Sequence, residues 1–191
     1  MKSKDQILKM RAAVLYILHS FPQGVDYIKL FKILYFAQQQ HLVNYGRTIV
    51  DDTFQARQFG PVSGFIRKGL KLIENSQPLS EDFRIFGEGM CVEITDTCQI
   101  IHATMDPDME ELSGSDVKML DKYIEAFRDM SSEEVSDLSH QDLAWIRASE
   151  RAKSDPQLRF MTTLEIAEAG GATPNTLAYI KENLEIDESL N

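Results

Sequence analysis

A chain of 191 residues with 43% hydrophobic side chains is long enough to bury one sizeable core, and its composition is too ordinary for a fibrous or disordered protein. No run of about 18 apolar residues could span a membrane, and the opening MKSKDQILKMRAA lacks the apolar stretch of a secretion signal. The net charge of −10 is unevenly spread: residues 1–72 hold 11 Lys/Arg and 4 Asp/Glu, whereas residues 73–191 hold 9 and 26. Such a split suits two parts of one fold that attract each other, or a basic end that draws an acidic partner or RNA. Cys91 and Cys98 belong to no CxxC or Cys/His cluster and read as ordinary thiols of a reduced, cytoplasmic protein.

Residues 5–19 place Ile7, Leu8, Val14, Leu15, Ile17 and Leu18 at helical spacing, and Phe21-Pro22-Gln23-Gly24 ends the run. Asp26 stands where an N-cap belongs for a second helix. Along that helix Tyr27, Leu30, Phe31, Leu34, Ala37, His41, Leu42 and Tyr45 recur at three and four, and Gly46 supplies a left-handed C-cap. The period then changes to two over 53–58, a short strand, and Pro61 is expected to open a helix over Val62–Ile73. Residues 83–86 and 90–95, separated by Gly87-Glu88-Gly89, read as a β-hairpin, and 102–114 as a connecting loop. Ser115 would cap a helix over 116–130, and Ser131 with Glu134 offers a capping box for a short helix ending near Leu138. A further helix carries Trp145, and helix signals over 163–169 and 175–184 flank Gly170–Pro174. The fold class expected is mostly α with a small β element (α+β): a helical domain with one short hairpin or three-stranded sheet.

None of the four histidines has metal-ligand spacing, and the chain contains no phosphate loop and no nucleophile elbow. No catalytic residue, metal or cofactor is assigned. Asp51 and Asp52 could form a paired-carboxylate site with His41, but neighbouring carboxylates more often cap a turn or pair with a cation such as Arg47 or Arg57. Residues 163–184 have the spacing of a helix-turn-helix, which makes a transcriptional regulator the alternative function. The second helix there has one lysine and no arginine, and residues 155–191 hold 2 basic against 7 acidic residues, poor chemistry for a phosphate backbone.

Two separated blocks carry a resemblance. The first runs Lys32-Ile33-Leu34-Tyr35-Phe36-Ala37, His41-Leu42, Tyr45-Gly46-Arg47, Asp52, Phe54, Ala56 and Gly60-Pro61-Val62. The second is Leu138-Ser139-His140 followed by Trp145 and Ala148, with Ser139 and Ala144 where the family usually has Thr and often Pro. The chain resembles the Panacea domain family of SocA-like antitoxins and phage-associated proteins over about residues 5–153. That places a Panacea-like helical domain at 1–153 and an acidic helical C-terminal extension at 154–191. The resemblance implies a cytoplasmic antitoxin of a toxin–antitoxin system, which binds and neutralises a cognate toxin protein through protein–protein contacts. Delivery of the toxin to a Clp-type protease is one mode in the family, and no residue here reports on it; DNA would enter only through autoregulation. Toxin-binding or motif residues are then Tyr35, His41, Tyr45, Gly46, Arg47, Asp52, Arg57, Gly60 and Pro61. Arg, Tyr and Phe59 are of the types enriched at interface hot spots. His140 and Trp145 are assigned a structural role, locking the second block onto the first.

Overall fold

The structure, a computed structural model, describes residues 2–189, with the side chains of Asp187 and Glu188 left aside. It is α+β and mostly helical. Helix α1 (Lys4–His19) begins with a Ser3/Gln6 capping box and buries Ile7, Met10, Val14, Leu15 and Leu18. Strand β1 (Val25–Asp26) leads into α2 (Tyr27–Tyr45), whose N-terminal amides at Ile28 and Lys29 are capped by the Asp26 carboxylate. Helix α2 is buried on more than one face: Leu30, Phe31, Ile33, Leu34, Tyr35 and Ala37 all have almost no exposure. A helix so enclosed serves as the axis of the domain rather than as a surface layer. The loop after it is held from inside by Gln38, whose side chain accepts from Ile49 and Val50 N–H and donates to Val50 O.

Strands β2 (Phe54–Arg57) and β3 (Gly60–Ser63) form a hairpin that leads directly into α3 (Gly64–Glu74). Pro61 therefore sits in β3 opposite Ala56, not at the start of a helix. It is tolerated because β3 is an edge strand, where a missing N–H goes unused. Residues 83–86 are likewise not a strand: α4 (Glu81–Gly87) occupies them. Glu81 and Asp82 in its first turn suit the positive end of a helix. Phe83 and Phe86, three apart, share one face against Phe65 of α3, at ring centroid distances of 4.7 and 5.7 Å. The hairpin is instead β4 (Met90–Ile94) with β5 (Gln99–Ala103), which takes up the start of the expected loop and pairs with β1.

Helix α5 (Gly114–Phe127) is capped by Ser113 and Asp116 rather than Ser115, and α6 (Ser132–Ser139) opens with the Ser131/Glu134 capping box. Helix α7 (Leu143–Ser154) is capped by Asp142. A 3-10 turn (Pro156–Arg159) then feeds β6 (Phe160–Met161), which pairs with β2. Two three-stranded antiparallel sheets result among the described residues, in the orders β1-β5-β4 and β3-β2-β6, where one was expected. Helices α8 (Thr163–Ala169) and α9 (Pro174–Ser189) complete the chain. Residues 154–191 thus supply the edge strand β6 and bury Met161, Ile166, Ala167 and Ile180 in the common core. No helix among the described residues is long and apolar enough to cross a membrane.

Candidate functional site

The two motif blocks meet at the turn between β2 and β3. Three successive carbonyls of that turn each accept a hydrogen bond from the α6–α7 region. Trp145 Nε1–H donates to Arg57 O (3.1 Å), the His140 ring at Nε2 lies 3.1 Å from Gln58 O, and Ser136 Oγ–H donates to Phe59 O (3.3 Å). A carbonyl can only accept, so His140 carries its proton on Nε2. The His140 and Trp145 rings stack at 4.3 Å between centroids. Gly60 closes the turn at φ 97°, a conformation that strains any side chain, and a Cβ there would overlap Ser139 Oγ and Lys32 Cε. The Phe59 side chain, by contrast, points outward and is 54% exposed.

What aims Trp145 at the turn is Asp142. Its carboxylate caps α7 at Ala144 and Trp145 N–H, accepts from Tyr35 Oη–H (2.7 Å) at Oδ1, and accepts from Gln39 Nε2 (2.7 Å) at Oδ2. Tyr35 is fully buried, and burial, then the Asp142 charge, raises its phenol well above the usual value. It serves as a neutral donor that bolts α2 to α7.

His41 lies at the other end of α2, 1% exposed. Nδ1 is 2.6 Å from Arg47 O and Nε2 is 3.0 Å from Ser115 Oγ and 3.2 Å from Asp116 Oδ1. Burial lowers its pKa below the ordinary value. It is therefore neutral near pH 7, donating through Nδ1–H and accepting the Ser115 hydroxyl at Nε2. Asp116 draws its counter-charge from Lys9 at 3.0 Å, not from His41. Tyr45 packs on the His41 ring at 4.8 Å, Gly46 at φ 65° ends the helix against Tyr179, and the Arg47 side chain is exposed.

Asp51 and Asp52 do not act as a pair, and neither forms an ion pair with Arg47 or Arg57. Asp52 accepts from Thr53 N–H (2.8 Å), from Ser63 Oγ–H, and from Phe65 and Ile66 N–H (2.9 and 3.3 Å). It caps α3 from outside that helix, which explains why Ser63, the residue before it, makes no side-chain cap of its own. Asp51 accepts from Gln6 and, through its carbonyl, from Lys2. Among the described residues, no three His, Cys, Asp or Glu side chains are grouped to hold a metal ion.

A family model described as "Antitoxin SocA-like, Panacea domain" matches residues 30–146. That span runs from the middle of α2's first turns to just past Trp145, and so contains both halves of the clamp. The chain belongs to this family. Neither the curated proteins nor the solved structures contain a match to it.

In this Panacea domain the clamped turn forms one wall of an open cleft of about 590 Å³. Phe31, Ala56 and Val62 line its apolar part, and Lys32, Arg57, Arg67, Lys71 and Arg159 its charged part. Lys32 is 1% exposed, and burial lowers its pKa to about 7, against a smaller opposing effect of Asp26. Its Nζ donates to Pro61 O at 3.2 Å. Of the motif residues, Arg57 and Gly60-Pro61 come together at the clamped turn with His140 and Trp145, whereas His41, Tyr45, Gly46 and Arg47 form a separate cluster and Asp52 a third. Lys32 opens the first motif block but was given no role in a site, and Asp142, Arg67 and Arg159 were not picked out by sequence reasoning. A lysine within the apolar run 30–37 was the one available signal; the others come from distant segments that only folding joins.

Proposed function

We propose that this protein is an antitoxin that binds and neutralises a cognate protein toxin, and that the turn bearing Phe59 is the point of contact. Membership of the SocA-like family supports the general role. The observation that carries the contact is an exposed phenylalanine on a backbone whose three carbonyls, at residues 57–59, are all held by α6–α7 donors. A large aromatic side chain on a rigid turn loses little freedom on binding, and residues of this kind dominate interface energies. Most other conspicuous motif side chains are spent inside: Tyr35 and His41 are buried, Asp52 caps a helix, and His140 and Trp145 hold the turn. Arg47, exposed, and Arg57, half-buried, are left as secondary contacts.

Co-expression with the product of the adjacent gene tests this. The expected outcome is rescue of growth and co-purification of the two proteins. Phe59→Ala should weaken the complex by about 30-fold, the effect of losing a hot-spot residue, while leaving thermal unfolding of the free protein unchanged. A neighbour that is harmless alone and forms no complex sinks the antitoxin reading. Full affinity of Phe59→Ala for a real toxin sinks only the placement of the contact.

A further inference from the structure

The cleft beside the turn holds more positive charge than the fold neutralises. Among the described residues, Lys71 pairs with Glu74 at 2.7 Å, but Lys32, Arg57, Arg67 and Arg159 form no ion pair with any carboxylate. Lys32, fully buried, uses one of its three N–H donors, on Pro61 O. Arg57 donates from Nη2 to Gln55 Oε1 at 2.8 Å, while its Nε is buried without a partner. Buried donors left unsatisfied are costly unless something arrives to accept from them. The guanidinium of Arg57 is also held below its ordinary pKa, by burial and then by the charges of Arg159 and Arg67, as expected of cations crowded without a counter-ion.

We propose that this cleft binds a small phosphate ester of the nucleotide class, its phosphates set among Lys32, Arg57, Arg67 and Arg159 and its flat part against Phe59 and Val62. The volume lies within the range of small-molecule pockets, and the lining combines apolar walls with convergent donors. One carboxylate would cancel one of three uncompensated guanidinium charges, set beside a Lys32 that is only partly protonated near pH 7. A single phosphate brings a charge of about −1.5 to −2 and three acceptor oxygens, and guanidinium groups meet it with two parallel N–H donors. The inference concerns the free protein and stands whether or not Phe59 contacts a toxin.

Isothermal titration of the full chain at low salt tests it, with pyrophosphate, ADP, adenosine, citrate and a glutamate-rich hexapeptide as titrants. ADP should bind, pyrophosphate should bind more weakly, and raising the salt should weaken both. The Arg67→Gln/Arg159→Gln double variant replaces two partly exposed side chains, so its unfolding curve should match the parent's. Its affinity for ADP should fall at least about tenfold, the loss expected of a charged hydrogen bond. Absence of heat with both ADP and pyrophosphate at millimolar concentration overturns the proposal, as does unchanged ADP affinity in the double variant. Binding of the hexapeptide without binding of pyrophosphate also overturns it, and assigns the cleft to an acidic protein segment instead.

Discussion

Replacing Lys32 by methionine probes a charge-bearing side chain that the fold buries almost completely. The substitution keeps the length of the chain and removes the charge. An unfolded lysine titrates near 10.5, whereas burial lowers Lys32 to about 7 in the fold. Below pH 7 both states carry the proton, and the full penalty of burying a charge stands. Between pH 7 and 10.5 only the unfolded state stays protonated, so stability rises with pH; above 10.5 the penalty is gone. The linkage slope is about 1.4 kcal/mol per pH unit, and the whole window amounts to roughly 5 kcal/mol. Methionine also forfeits the hydrogen bond to Pro61 O, a loss of about 1–3 kcal/mol that does not vary with pH. The informative quantity is therefore the difference between the two proteins as pH changes, because every other titrating group cancels. Urea unfolding at pH 7.5, 8.25 and 9 should show the parent gaining about 2 kcal/mol on Lys32→Met across that range. A difference that stays constant with pH refutes the reasoning, since it would mean that Lys32 keeps its ordinary solvation.

Two further outcomes follow from the geometry. Trp145→Phe removes the Nε1–H donor to Arg57 O, so the fold should lose about 1–2 kcal/mol. Amide exchange at residues 58–60 should quicken in that variant; unchanged exchange there would show that the turn does not depend on the clamp. His41 titrates below 6.5 because it is buried, so as pH falls through 6.5 the unfolded chain takes up a proton that the fold refuses, and stability drops. The advantage of the parent over His41→Gln in thermal melting should accordingly shrink between pH 7 and pH 5, and a gap that does not change over that range contradicts a neutral His41.

Much of the helical framework was legible because its signals are local. Capping residues sit within three positions of the amides they serve, as at Asp26 with Ile28 and Lys29, or Ser131 with Glu134. The apolar recurrence from Tyr27 to Tyr45 marks a helix without reference to anything outside it. The reading failed where two local signals competed. Residues 83–86 are a short, mostly apolar run before a Gly-rich turn, as a strand would be, yet Glu81-Asp82 and the i, i+3 pair Phe83/Phe86 suit a helix, and the face offered by Phe65 decided between them. Pro61 fits a first helical turn and an edge strand equally well; pairing with Ala56 chose the strand, and a cap from Asp52, across the hairpin, moved the helix start to Gly64.

The site shows the same division more sharply. The sequence by itself determined that the Tyr35–Pro61 and His140–Trp145 blocks belong together, since their residue types and order identify the family. Which side chains stay at the surface was decided by tertiary structure alone. Tyr35, His41 and Asp52 have the chemistry of contact residues, but folding consumes them: Tyr35 and His41 find partners on α7 and α5, far along the chain, and Asp52 is spent on the hairpin end and first turn of α3 just after it. The four basic side chains of the cleft that lack an ion pair come from α2, β2, α3 and the turn before β6. No spacing rule joins residues 32, 57, 67 and 159. Only the packing of α2 against two sheet edges brings their charges to one place, and charge convergence is a property of distance in space, which a linear pattern does not record.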